Sequence, residues 1–187
     1  MSEKLKEAAK AADMIITTGG VSVGKKDIMH ESLRLMGAER IFWRVKMKPG
    51  MPTLFSAYKK TSDITATDYC VSEREIPIIS LSGNPFGVAV SIELLIRPAL
   101  EKMMQDPSIG LKEVNGIMAD NFEKGIKGRR FIRAYLENGK FHLPKGLHSN
   151  GVLSSMAGCN CLIDTKTMEN QESRSLNAGD KVGAILL

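Results

Sequence analysis

The chain has 187 residues, 43% of them hydrophobic, and carries 26 Lys and Arg against 21 Asp and Glu. That length can bury a real core, and the mixed charges and ordinary apolar content exclude disorder and low complexity. No apolar run approaches the ~18 residues of a membrane span, and Met1-Ser2-Glu3-Lys4-Leu5-Lys6 lacks the apolar stretch of a secretion signal, so the expectation is a soluble, cytoplasmic protein.

Ser2 followed by Glu3 to Ala12, rich in helix formers, predicts an opening helix. Met14 to Thr18 is a short, apolar, β-branched run that suits a buried strand. A glycine-rich turn, Gly19-Gly20-Val21-Ser22-Val23-Gly24, follows it. Asp27 is placed to cap a helix over Ile28 to Met36, with Gly37 as its stop. Residues 41–48 alternate, Ile41, Trp43, Val45 and Met47 against Arg44, Lys46 and Lys48, which predicts a strand with one dry side. After the Pro49-Gly50 turn, Thr53 to Tyr58 reads as strand, Lys59 to Glu75 as a long polar loop, and Ile76 to Leu81 as a buried strand.

Ser82-Gly83-Asn84-Pro85 then opens a helix to about Met104, with Pro98 inside it as a potential kink. Strand, glycine-rich loop and helix thus occur twice, which argues for α/β units on a mostly parallel sheet. Beyond Asp106-Pro107 the pattern changes to short strands, with a hairpin signal at Asn138-Gly139. The expected organisation is an α/β domain over 1–106 and a small all-β, barrel-like module over 107–187.

The net charge of +5 is spread thinly: 15 basic and 13 acidic side chains in 1–106, 11 and 8 in the remainder. The one local concentration is Lys124, Lys127, Arg129, Arg130 and Arg133. Nucleic-acid binders carry a denser stripe with aromatic partners, so a solvated basic face or a small anionic ligand suits this distribution better. Cys70, Cys159 and Cys161 read as reduced thiols. Cys159 and Cys161, two apart with His142 and His148 nearby, lack zinc spacing, and His30 has no partnered spacing for nucleophile chemistry.

Thr17 to Asp27 joins a strand end to a helix start, where loop and helix N–H groups favour an anion. It is neither a Walker A loop nor a dinucleotide fingerprint. Ser82-Gly83-Asn84-Pro85 repeats the arrangement after a second strand, and ligands of open α/β sheets bind outside the carboxyl ends of their strands. Asp27 reads either as a helix cap or as a carboxylate holding a divalent ion on ligand phosphates. Lys48 is either an ordinary exposed lysine or a charge aimed at an oxyanion.

Together and in order, these residues resemble the MoeA family of molybdopterin molybdotransferases, which includes the gephyrin E domain. The resemblance is carried by TTGGVSVGKKD at 17–27, FWRVKMKPGMP at 42–52, LSGNP at 81–85 running to RPAL at 97–100, and more weakly by GRRFIRAYL at 128–136, SNGVLSSMAGCNCLI at 149–163 and LNAGDKV at 176–182. It implies insertion of molybdate into adenylylated molybdopterin with release of AMP, aided by a divalent cation such as Mg²⁺, in a homodimer. It also implies a partial MogA-like, doubly wound, mostly parallel sheet followed by the small β-module.

Carried over residue by residue, Thr18, Gly19, Gly20, Val21, Ser22 and Gly24 would surround the pterin phosphate or pyrophosphate, with Gly83 and Asn84 from the second loop. Asp27 would serve the cation or nucleotide. Lys48, Pro49 and Gly50 would face the oxyanion, with Arg129 or Arg133 helping from the β-module. Three departures stand out. Met51 replaces a second lysine of the family's Lys-Pro-Gly-Lys-Pro. Ser82 and Gly87 replace a proline and a serine of its Leu-Pro-Gly-Asn-Pro-Val-Ser. Family members are also considerably longer, which makes a fragment the expected status here.

Alternatives of other classes are a non-catalytic dimerisation or partner-binding module derived from this family, and a MogA-type molybdopterin adenylyltransferase. A MogA-like protein is an implied partner. Neither nucleic acid nor membrane is expected.

Overall fold

Ile15, Leu54, Ile76 and Ile78 are the apolar strand residues around which the N-terminal part of the chain closes. The computed structural model describes residues 1–24, 27–60, 74–126, 128–145, 153–165 and 174–187. The chain divides into two compact units, residues 1–45 with 52–83 and residues 46–51 with 84–187.

The first unit contains α1 (Ser2–Ala11), β1 (Ile15–Thr18), α2 (Met29–Met36), β2 (Glu39–Trp43), β3 (Leu54–Lys60) and β4 (Arg74–Leu81). Helical periodicity puts Leu5 and Ala9 of α1 and Met29, Leu33 and Met36 of α2 on inward faces. All five pack with Ile15, Val21, Leu54, Ile76 and Ile78 in one cluster. Full burial of each large aliphatic side chain there is worth about 1.5–3 kcal/mol. The sheet runs β1-β4-β3-β2. The α/β class holds, but within this sheet only β1–β4 is parallel, and β4–β3 and β3–β2 are antiparallel, so it is mixed rather than mostly parallel.

The strand expected over 41–48 is shorter and wetter than its alternation suggests. It ends at Trp43, and Ile41 and Phe42 are 51% and 38% exposed. β2 is the sheet's outer strand, and its register shifts between Arg40 and Phe42. Arg44 then takes a left-handed conformation, φ 74°, while its N–H donates to the Thr53 carbonyl at 2.8 Å. The expected opening at Ser2 is also adjusted by a residue: Met1 is the capping position, with no side-chain cap.

The second unit contains α3 (Pro85–Ser91), a π-helical turn over Ile92–Ile96, α4 (Arg97–Met104), a short 3₁₀ turn at Pro107–Ile109, β5 (Glu113–Met118), β6 (Phe122–Ile126), β7 (Phe131–Glu137), β8 (Lys140–His142), a second 3₁₀ turn at Leu153–Met156, β9 (Cys161–Asp164), β10 (Arg174–Leu176) and β11 (Lys181–Leu186). Pro98 does not break the helical run. The chain widens ahead of it, the Arg97 N–H reaching back five residues to the Ile92 carbonyl, which relieves the proline's demand on the preceding turn.

β11-β5-β8-β7-β9 close into a barrel, and β6 pairs with β10 beside it. Its core is Met118, Phe122, Ile132, Ala134, Phe141, Cys161, Ile163, Leu176 and Ala184. The hairpin joining β7 to β8 turns at Asn138 and Gly139, φ 49° and 75°, the two left-handed positions that the Asn-Gly signal supplies. Among the described residues no helix is long and apolar enough to cross a membrane.

Gly116 of β5 marks the tightest packing in the barrel. A Cβ there would lie 2.8 Å from the Gly139 carbonyl oxygen and 2.8 Å from the Phe141 ring. Gly116→Ala should therefore lower stability by about 1–3 kcal/mol in urea unfolding, as overpacking does. An unchanged midpoint would show that this strand pair has room the geometry denies.

Candidate anion-binding site

Gly19 and Gly20 leave β1 in left-handed conformations, φ 83° and 69°, which side chains with a Cβ rarely adopt. Hydrogen bonds then fix the loop. The Gly19 N–H donates to Leu81 at 2.9 Å, at the end of β4, and a Cβ on Gly83 would sit 3.5 Å from the Gly19 Cα. The Gly20 carbonyl accepts from the Met29 N–H at 3.0 Å, and the Gly24 carbonyl from the Asp27 N–H at 2.9 Å. The Val21 carbonyl accepts from the Trp43 indole at 2.9 Å. Three loop carbonyls are thus turned to protein donors.

The N–H groups of Gly20, Val21, Ser22 and Val23 are treated differently. None of them donates to an acceptor among the described residues. Consecutive N–H groups of this kind at a helix approach are a site for an anion. Val21 is buried, and Thr18, Ser22 and Gly24 are exposed. Beneath them, the hydroxyl oxygens of Thr17, Ser80 and Ser82 are buried and meet no partner among the described residues. Lys25 and Lys26 of this stretch lie outside the described residues.

Asp27 does not cap α2. The capping position is Ile28, without a side-chain bond, and the Asp27 carboxylate turns back to accept from the Gly24 N–H. Asp27 is therefore a loop-closing group with carboxylate capacity left over. A cavity of about 490 Å³ opens beside it, lined also by His30, Arg40, Leu54 and Ser56. Among the described residues no three His, Cys, Asp or Glu cluster as a protein cage for a metal. One carboxylate does fit Mg²⁺, which binds through one or two carboxylates plus ligand phosphates and water.

The other predicted site residues fall in the second unit. Lys48 makes a parallel bridge with Arg130: its N–H donates to Arg129 at 3.0 Å, and its carbonyl accepts from the Phe131 N–H at 2.9 Å. Pro49 and Gly50 are buried. Gly50 has φ 97°, and a Cβ on it would come within 2.7 Å of the Met47 methyl and 2.9 Å of the Ser91 hydroxyl. Asn84 caps α3, accepting from the Gly87 N–H at 3.0 Å. Arg129 is engaged bidentately by Asp164, at 3.1 and 2.8 Å. Arg133 is buried with its guanidinium 4.5 Å from the centre of the Phe86 ring, and burial lowers its pKa.

The arginine that stands beside Lys48 is instead Arg130. Paired residues of a bridge share a face, so the two cations start side by side. No carboxylate among the described residues pairs with either. The Arg130 Nε is buried without a hydrogen-bond partner among the described residues, and burial pushes the Arg130 pKa down. Sequence reasoning passed over Arg130 because nothing in Gly128-Arg129-Arg130 says which arginine the Asp164 carboxylate takes. Of the remaining basic cluster and cysteines, Lys127, His148 and Cys70 lie outside the described residues.

A glycine loop at the end of a strand in an α/β sheet, with N–H groups that find no acceptor among the described residues, is followed in the chain by a β-barrel. Comparison assigns the family. Residues 1–102 match the family described as "Probable molybdopterin binding domain", and residues 115–187 match "MoeA C-terminal region (domain IV)". The chain belongs to this molybdopterin-binding-domain family, with the MoeA C-terminal region following it.

A Staphylococcus aureus (strain COL) protein named molybdopterin molybdenumtransferase is 31% identical over 185 residues, and one from Staphylococcus epidermidis (strain ATCC 12228 / FDA PCI 1200) is 28% identical over 187. The chain is covered to 97% and 98%, but spans only 40% of either relative. Among solved structures, two MoeA proteins from Pyrococcus horikoshii share the fold, with TM-scores of 0.67 and 0.71 at 23% and 17% identity. They cover 100% and 99% of this chain, which spans 38% and 40% of theirs.

The two described cysteines are not equivalent. Burial pushes the Cys161 thiol up to about 12, and pushes Cys159 up less, since the Arg133 guanidinium opposes it. Iodoacetamide at pH 8 should label Cys159 well ahead of Cys161 by peptide mass spectrometry. Because the folded pKa of Cys161 lies above its unfolded value, its contribution to barrel stability is full below about pH 9 and is lost as pH rises towards about 12. Equal labelling of the two in folded protein would contradict the barrel core.

Proposed function

We propose that this chain supplies the loop and cation chemistry of a MoeA-type molybdopterin molybdotransferase, which inserts molybdate into adenylylated molybdopterin and releases AMP. The observation that carries the reading is the row of N–H groups from Gly20 to Val23 that find no acceptor among the described residues, in a loop whose Gly20, Val21 and Gly24 carbonyls are engaged. Family membership and the relatives' names support the substrate class. In this reading the loop holds a phosphate or pyrophosphate of the pterin nucleotide through backbone N–H groups, which suits a flexible anion without demanding a counter-charge. Thr18, Ser22 and Gly24 border it, Gly83 leaves room for it, and Asp27 offers its carboxylate to a Mg²⁺ that neutralises phosphate charge when bound.

Lys48 and Arg130 form the second element of the proposal. Two adjacent cations without an acid are repelled by one another, and an oxyanion such as molybdate relieves that repulsion while accepting their N–H groups. Pro49 and Gly50 fix the backbone of Lys48. Arg129 and Arg133, expected as ligands, act instead as supports: Arg129 through Asp164, Arg133 within the Phe86 contact. The proposal extends to an α/β functional domain over 1–106 and a β-module over 107–187, to a homodimer, to a MogA-like partner and to a cytoplasmic setting.

Calorimetric titration of the chain with AMP and Mg²⁺, with and without molybdate, tests the reading. Saturable binding is expected, with Asp27→Ala weakening AMP·Mg²⁺ by about tenfold or more, on the order of one lost charge-assisted contact. Arg130→Gln should weaken the molybdate response and leave AMP binding within about twofold. Met51→Lys, at an exposed position beside the Lys48-Pro49-Gly50 turn, should strengthen it. No heat from the folded wild type would overturn the proposal for this chain and favour a non-catalytic module. ATP consumption with molybdopterin would favour the adenylyltransferase reading, against which the closed barrel stands.

A further inference from the structure

Trp43 is the only tryptophan in the sequence, and its place in the first unit is unusual for a residue at a strand end. Its indole N–H donates to the Val21 carbonyl at 2.9 Å, across 22 positions of sequence. The His30 ring meets the Trp43 ring edge-on, centroids 4.7 Å apart, and His30 Nε2 lies 3.4 Å from the same Val21 oxygen. The Arg44 guanidinium lies over the indole, 4.3 Å from its centre. The ring therefore contacts both His30 and Arg44, and its one polar atom is spent on the glycine loop.

A peptide unit has a carbonyl at one end and an N–H at the other, so which of them faces the protein decides what the loop offers to solvent. The Gly20 and Gly24 carbonyls are held by backbone donors, Met29 and Asp27, that any sequence would supply. The Val21 carbonyl sits between them and is held by a side chain. Without that bond, the peptide joining Val21 to Ser22 keeps only the longer His30 contact at 3.4 Å and is held less firmly against rotation.

We infer that Trp43 is a positioning residue for the anion loop: its indole N–H locks the Val21–Ser22 peptide so that the Gly20–Val23 N–H groups act as one row, and its fluorescence reports their occupancy. The inference rests on the anion-loop reading proposed above and adds to it the residue that sets the loop's shape. Phenylalanine at 43 keeps an aromatic ring for His30 and Arg44 to contact and removes the N–H. Removing one hydrogen bond of this kind shifts an equilibrium by roughly twofold to tenfold.

Inorganic pyrophosphate is the probe, on the full chain. Wild-type Trp43 emission should change saturably on titration, with the midpoint that calorimetry gives. Trp43→Phe should bind pyrophosphate about fivefold more weakly, within the range for one lost bond. Its Met29 and Asp27 amides should exchange hydrogen faster in the ligand-free chain, while β3 and β4 amides keep their protection. Arg44→Ala, which removes the stacked cation and leaves the N–H, should match the wild type in loop exchange.

Trp43→Phe binding as tightly as wild type, with unchanged exchange at Met29 and Asp27, would overturn the inference. So would loosened exchange spread equally over β3 and β4. If the wild type shows no pyrophosphate heat, the anion-loop reading fails by itself, and the exchange comparison still decides whether Trp43 sets the loop.

Discussion

The constraint on which the rest of the N-terminal unit depends is the engagement of three loop carbonyls. Gly20, Val21 and Gly24 each accept a hydrogen bond from a group fixed by the fold: the first residue of α2, the indole at the end of β2, and the Asp27 backbone. Burying a carbonyl without a donor costs free energy, so these bonds are a condition of folding before they are a device of function. Their consequence is chemical. With those three acceptors engaged, the N–H groups of Gly20 to Val23 are left without an acceptor among the described residues, and N–H groups at the mouth of a helix favour an anion.

Much of this was readable in the sequence, for a physical reason. Consecutive Gly19-Gly20 after a β-branched run has few uses other than a tight left-handed exit from a strand, and both glycines take it. The Asn138-Gly139 hairpin, the helix ending at Gly37 and the barrel-like texture beyond residue 107 rest on similarly local rules. What failed depended on neighbours distant in the chain. Ile41 and Phe42 alternate as a half-buried strand would, yet β2 is an outer strand and leaves them exposed. Asp27 has a capping residue's position, but the loop N–H of Gly24 competes for its carboxylate and wins. Trp43 gave no sign of reaching Val21, because side-chain-to-loop bonds leave no periodic trace.

The cations of the second unit show the same division. Counting lysines and arginines locates a basic region, and only pairing sorts it. Asp164 takes Arg129, the Phe86 ring takes Arg133, and the parallel bridge puts Arg130 beside Lys48. Two of the three substitutions that distinguish this chain from the family pattern fall in that setting: Met51 is exposed and lacks a charge, and Gly87 is buried in α3, donating to Asn84. Arg130 is the cation that the bridge sets beside Lys48, and the Lys48-Pro49-Gly50 turn leads into the exposed Met51.

The central claim is that backbone N–H groups of Gly20 to Val23 bind the anion. Amide chemical shifts of the isotope-labelled chain, followed as inorganic pyrophosphate is added, test it most directly. The account predicts the largest downfield movements at Gly20, Val21, Ser22 and Val23, saturating together at one midpoint. Movements confined to lysine- and arginine-bearing segments, with those four amides unmoved, would contradict it.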